Sequence, residues 1–132
     1  MSDVAAAVVA IKTANTALNT LIGTRFYPDA MPQGVTLPAV RYQVISLVTD
    51  DAMTPTIVNR KNRVQMDCYA STSVLRAALR AAVETAFYGY SGSIGGETVK
   101  SILIDNEREG IELLDSNTQA YRASIDFKVD LA

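Results

Sequence analysis

The strictest pattern in the chain is its last segment, residues 119–131, where Tyr121, Ala123, Ile125, Phe127, Val129 and Leu131 alternate with Arg122, Ser124, Asp126, Lys128 and Asp130. A period of two sends every apolar side chain to one face of an extended strand and every polar one to the other. Such a strand needs backbone partners on its edges and a cover for its apolar face. The rest of the chain must supply both.

Partners are legible upstream. Residues 39–49 read as a strand with Val40, Tyr42, Val44 and Val48 on one face and Arg41 and Gln43 on the other, the alternation blurring at Ile45 and Leu47. From Asn62 to Tyr69, Val64, Met66 and Cys68 alternate with Arg63, Gln65 and Asp67. These two strands make a hairpin whose long polar tip is residues 50–61. A further strand is expected over Thr98–Glu107, joined to the last one by a connection, Arg108–Thr118.

Two helical stripes supply the cover. Val4, Val8, Ile11, Leu18 and Ile22 recur at helical spacing, interrupted at Asn15, with Ser2 or Asp3 as cap and Gly23 as stop. After the cap candidates Ser71-Thr72-Ser73, the residues Leu75, Ala78, Leu79, Ala82, Val83 and Phe87 form a buried face opposite Arg76, Arg80 and Glu84. Residues 24–38 hold three prolines and a glycine, which argues against regular structure, and the glycine-rich residues 89–96 read as a flexible loop. The expected order is α-β-β-α-β-β. That is an α+β two-layer sandwich in one domain, 1–132, with a four-stranded, mainly antiparallel sheet and two helices on one face. Val8, Ile11, Leu18, Val64, Met66, Leu79, Val83, Ile125 and Phe127 are the expected core.

Composition narrows the chemistry. The 132 residues are 48% apolar and 20% charged, an ordinary globular balance, with net charge −2 and pI ≈ 5.0. There is no histidine, which removes Ser-His-Asp and Cys-His nucleophilic pairs and histidine metal sites. The single cysteine, Cys68, allows no intrachain disulfide and lies on an apolar strand face, so it reads as a buried structural thiol. Met1-Ser2-Asp3 has no basic n-region, so no signal peptide is expected, and the apolar runs are too short for a membrane span. Residues 89–96 match neither a P-loop nor a GxSxG elbow.

Three groups remain as candidate surfaces. Asp105, Glu107 and Glu109, with Glu112 and Asp115 beyond, form an acidic cluster without calcium-loop spacing, read as a solvated edge. Arg25, Arg41, Arg60, Lys61 and Arg63 lack an aromatic ladder, so ion pairs or subunit contacts suit them better than DNA. The segment 24–38 is unusually apolar for irregular backbone, holding Phe26, Tyr27, Met31, Val35 and Leu37. It either folds over the sheet edge or forms a subunit interface. The interface candidates are Arg25, Phe26, Tyr27 and Met31, with Met53 and Ile57 from the hairpin tip. No catalytic, cofactor or metal residue is expected. A ligand- or nucleic-acid-binding α+β module, and an enzyme built on the 105–115 carboxylates, stay open on the residues alone.

A resemblance narrows this further. Leu21-Ile22-Gly23-Thr24-Arg25-Phe26-Tyr27-Pro28 resembles the helix end that opens the phage tail completion family. Leu37-Pro38-Ala39-Val40-Arg41-Tyr42 and Arg63-Val64-Gln65-Met66-Asp67-Cys68-Tyr69-Ala70 resemble its next two strands. Glu107-Arg108 and Tyr121-Arg122-Ala123-Ser124-Ile125-Asp126-Phe127 are similar to its last two. The five pieces stand in the same order along nearly the whole chain. The resemblance implies a structural tail completion or tail terminator protein at the neck end of a virion tail, assembled in the host cytoplasm, with no cofactor. It also implies a ring of copies, commonly a hexamer, that stops tail-tube polymerisation. The ring would touch the tail tube protein and the head connector or stopper protein, with DNA only as passing cargo and no membrane. Asp105, Glu107 and Glu109 would then suit a lumen that repels phosphate. A head-completion or stopper protein is the nearest alternative.

Overall fold

The structure, a computed structural model, describes residues 4–51, 58–114 and 118–132. The elements are α1 (Val4–Ala14), α2 (Thr16–Ile22), β1 (Phe26–Pro28), β2 (Ala39–Asp51), β3 (Val58–Ala70), α3 (Ser73–Phe87), β4 (Gly92–Ile94), β5 (Glu97–Leu113) and β6 (Gln119–Leu131). The strands form one sheet in the order β1-β2-β3-β6-β5-β4. All neighbours are antiparallel except β1, which runs parallel to β2.

This corrects the expected four-stranded sheet with two helices: the described residues form three helices and a six-stranded mixed sheet. Each difference has a local cause. Asn15 does not merely interrupt the first stripe. Its backbone is extended and its side chain accepts a 2.8 Å hydrogen bond from the Leu18 amide, so it caps a new helix that leaves the first at 89°. Phe26–Pro28 pairs with Val40–Tyr42 inside the proline-rich segment, and Pro28 is tolerated because it ends an edge strand. Residues 92–94 pair back on 97–99 through Gly95-Gly96, both at positive φ, in place of the expected loop. β5 continues past Glu107 to Leu113 beside β6, where a connection was expected.

The apolar face of the sheet meets the helices. All nine expected core residues are buried, and Phe87 of α3 packs against Phe127 of β6 with ring centroids 5.7 Å apart. Thr72 caps α3 through its hydroxyl, 3.1 Å from the Leu75 amide. The helix buries Leu79, Val83, Ala86 and Phe87, while Leu75 and Ala78, expected inside, are exposed. Gly95 seats the β4–β5 turn against α1: a Cβ there would lie 2.7 Å from the carbonyl oxygen of Ala6.

Both long outer strands are bulged. Pairing between β2 and β3 shifts after Val44, leaving Ile45 as an extra residue, which is why the alternation of residues 39–49 blurs there. β5 shifts against β6 between Val99 and Ser101 and again between Ile104 and Asn106. Val44, on the apolar face with Val40 and Tyr42, is 42% exposed: β1 pairs with β2 only as far as Tyr42, and among the described residues no strand lies beyond it.

Candidate assembly surface

The apolar segment 24–38 is largely spent on the chain's own fold. Phe26 stacks on Tyr42 with centroids 4.6 Å apart. Arg25 is held by the backbone, donating from Nε to the Pro38 carbonyl at 2.8 Å and from Nη2 to the Leu21 carbonyl at 3.2 Å. Asp29 is pinned to β2 by its amide on the Tyr42 carbonyl and by the Gln43 side chain on its own carbonyl. Met31 through Val35 and Leu114 with Thr118 line a half-open hollow of about 370 Å³. Phe26, Tyr27 and Met31 therefore stand half-buried. Met53 and Ile57 lie outside the described residues.

The three acidic candidates do not share an edge environment. Asp105 is the extra residue of the second β5 bulge and accepts from Arg63 at 2.5 Å and Lys128 at 3.2 Å. Hydrogen bonds from those two cations hold its carboxyl below the usual range. Glu107 and Glu109 oppose Ile125 and Ala123, on the helix side of the sheet. Glu109 pairs with Arg76 at 3.0 Å and with Arg80. Glu107 meets Glu84 of α3, whose pKa is pushed up to about 7, first by their shared hydrogen bond and then by burial.

The sheet face away from the helices is a carpet of matched charges. Asp67, fully buried, accepts from Arg41 Nε at 3.0 Å, Gln65 at 2.9 Å and the Ser124 hydroxyl at 2.6 Å. Burial alone would raise its pKa, but these hydrogen bonds outweigh that and lower it. Arg108 meets Asp126 at 3.1 Å, and Arg122 meets Glu112 at 2.8 Å. Arg41 and Arg63 thus make the ion pairs expected of them. The usable signal was the polar half of the alternation in β3 and β6, which places Gln65 with Asp126 and Asp67 with Ser124 as cross-strand partners. No cluster of three or more metal-ligating side chains exists among the described residues. Burial pushes the Cys68 thiol up, so it stays protonated.

The sequence reading missed the sheet's edges. β1 covers β2 only at residues 40–42, and β4 covers β5 only at 97–99. One further backbone bond reaches β5 from outside, from the Gly89 amide to the Ile102 carbonyl. Among the described residues, β2 from 43 to 51 and β5 from 103 to 113 have no outer strand. Large exposed apolar side chains gather on these runs: Val44 and Ile45 on β2, and Leu103, Ile111 and Leu113 on β5, the last 71% exposed.

A family model described as "Tail completion protein gp17" matches residues 6–130. No curated protein matches the chain. Among solved structures, a chain of the "Virion of native gene transfer agent (GTA) particle" superposes with a TM-score of 0.68, covering 99% of this chain and 98% of that one at 19% identity. At that identity the likeness is one of fold.

Proposed function

The chain belongs to the tail completion protein gp17 family, and on that premise we propose that it closes the end of a tail tube as a ring of its own copies. It is a structural assembly protein of the tail and neck of a phage-like particle, and its family is not catalytic. The proposed ring is a hexamer that halts addition of the tail tube protein on one side and presents a surface to the head connector on the other. The observation that carries this reading is the family match over residues 6–130. The charge pattern supports it. Arg41, Arg63, Arg108, Arg122 and Lys128 each have a carboxylate partner within the chain. Few free cations remain on that face to hold a passing duplex through counterion release.

The test is to add the purified protein to polymerising tail tubes and measure tube length and protein bound at tube ends. Shortened, uniformly capped tubes with ring-shaped ends are expected. Tubes that grow on with bare ends would overturn the reading.

A further inference from the structure

The two open runs lie on opposite sides of the sheet and match in kind. β2, β3, β6 and β5 alternate in direction, so β5 runs opposite to β2. A second copy placed beside the first in the same orientation therefore brings its β2 antiparallel to the first copy's β5, in the more stable mode of pairing. The two strands also break step at one level. Val44 faces Val64, Val64 faces Phe127, and Phe127 faces Ile104, with the shifts following Val44 on β2 and Ile104 on β5.

We propose that neighbouring copies join edge to edge, residues 103–113 of one copy pairing with residues 43–51 of the next, so that the sheet continues across the subunit boundary. This rests on the ring reading above and names its contact. A row of unpaired amides and carbonyls flanked by exposed apolar side chains is a template for another strand unless something covers it. Here one copy has both halves of the joint. Using different surfaces on each partner makes the contact heterologous, the kind that closes into a ring when its rotation divides a full turn. The runs are offset along the strands. Leu103, where the open part of β5 starts, is level with Ser46, and the rest of that run extends away from the hairpin tip. Pairing is therefore staggered, and stagger between tilted strands is what a closed sheet requires. A strand from the tube protein or the connector could use the same edge, and the experiment separates these occupants.

Two sets of variants are prepared, each adding one surface cysteine to the buried Cys68: Ile45→Cys on β2 and Glu107→Cys, Ile111→Cys or Leu113→Cys on β5. They are mixed, assembled on purified tail tubes and oxidised. Mixed disulfides between the β2 variant and neighbouring β5 variants are expected, with no dimers from either set alone. In wild type, the outward amides of both runs should exchange on the order of tenfold more slowly once assembled. This second measurement needs no variant to fold. Capped tubes that give only same-variant disulfides, or disulfides to the tube protein, would overturn the proposal. So would capped tubes with no cross-link and unchanged edge exchange, while leaving the ring reading intact. If wild-type protein caps no tubes, the ring reading itself fails and takes this joint with it.

Discussion

The inner strands β3 and β6 and the outer strands β2 and β5 draw on the same residue types, yet they differ in regularity. β3 and β6 pair along eleven consecutive positions, Arg60–Ala70 with Leu131–Tyr121, with no shift in register. Their apolar face is buried almost throughout, and on the polar face Asp67, Ser124 and Asp126 are buried as well. β2 and β5 carry the bulges and the exposed aliphatic residues. A strand with partners on both sides is fixed by two ladders, and a slip would turn its whole side-chain set over. A strand with one free side can absorb an extra residue and present what the core does not need.

Graded substitutions sharpen this contrast. Phe127→Ala on β6 removes a fully buried ring and should cost about 3–5 kcal/mol in urea titrations. A cost below about 1 kcal/mol would mean that the inner strands are not the core of stability. Asp67→Asn on β3 breaks a buried carboxylate's three contacts. It should cost about 1–3 kcal/mol, less than a fully buried pair because Arg41 is partly exposed and can be resolvated. Asp67 has a lowered folded pKa. Its contribution is therefore present above the unfolded carboxylate range and is lost as pH falls through the folded value. The variant should accordingly show a flatter acid limb.

At the seam between α3 and β5 the sign reverses. Glu84 has a folded pKa raised to about 7. The stability it contributes is full below its unfolded value and is lost as pH rises through about 7. Glu84→Gln should raise the melting temperature at about pH 8 and leave it nearly unchanged at about pH 5, where Glu84 is already protonated. An equal shift at both would remove the Glu84–Glu107 contact as the cause. The smallest effect on folding is expected at the outer edge: Leu113→Asp should change stability by no more than about 0.5 kcal/mol while lowering tube-end binding. Full end binding by a folded Leu113→Asp protein would weaken the comparison at its functional end.

The same division explains what the sequence disclosed. β6 and the apolar half of β3 were readable because burial on one face, enforced by two neighbours, writes a clean period of two. The core positions on α1, α2 and α3 followed from helical spacing in the same way. β1 and β4 were not readable, since three residues each carry no period and their pairing is decided by a strand distant in sequence or by a two-glycine turn. The far end of β5 was hidden by its charges, Glu107 to Glu112, which suit a strand edge but look like a solvated connection. Leu75 and Val44 fit an apolar pattern and still face solvent, because pattern assigns a face but not the extent of what covers it. The open edges were beyond reach for a related reason: an edge is open only by what fails to lie beside it.

Cys68 sits fully buried in the inner sheet with its thiol protonated. A tail protein is assembled inside a living cell and then persists outside it, exposed to oxygen and peroxides. Thiolate and access together govern whether sulfur is oxidised, and this one offers neither. The folded chain should therefore carry no redox memory of where it was made: no sulfenic acid accumulating with age, no adventitious bridge welding one particle to another. Ageing, for such a subunit, would begin only with unfolding.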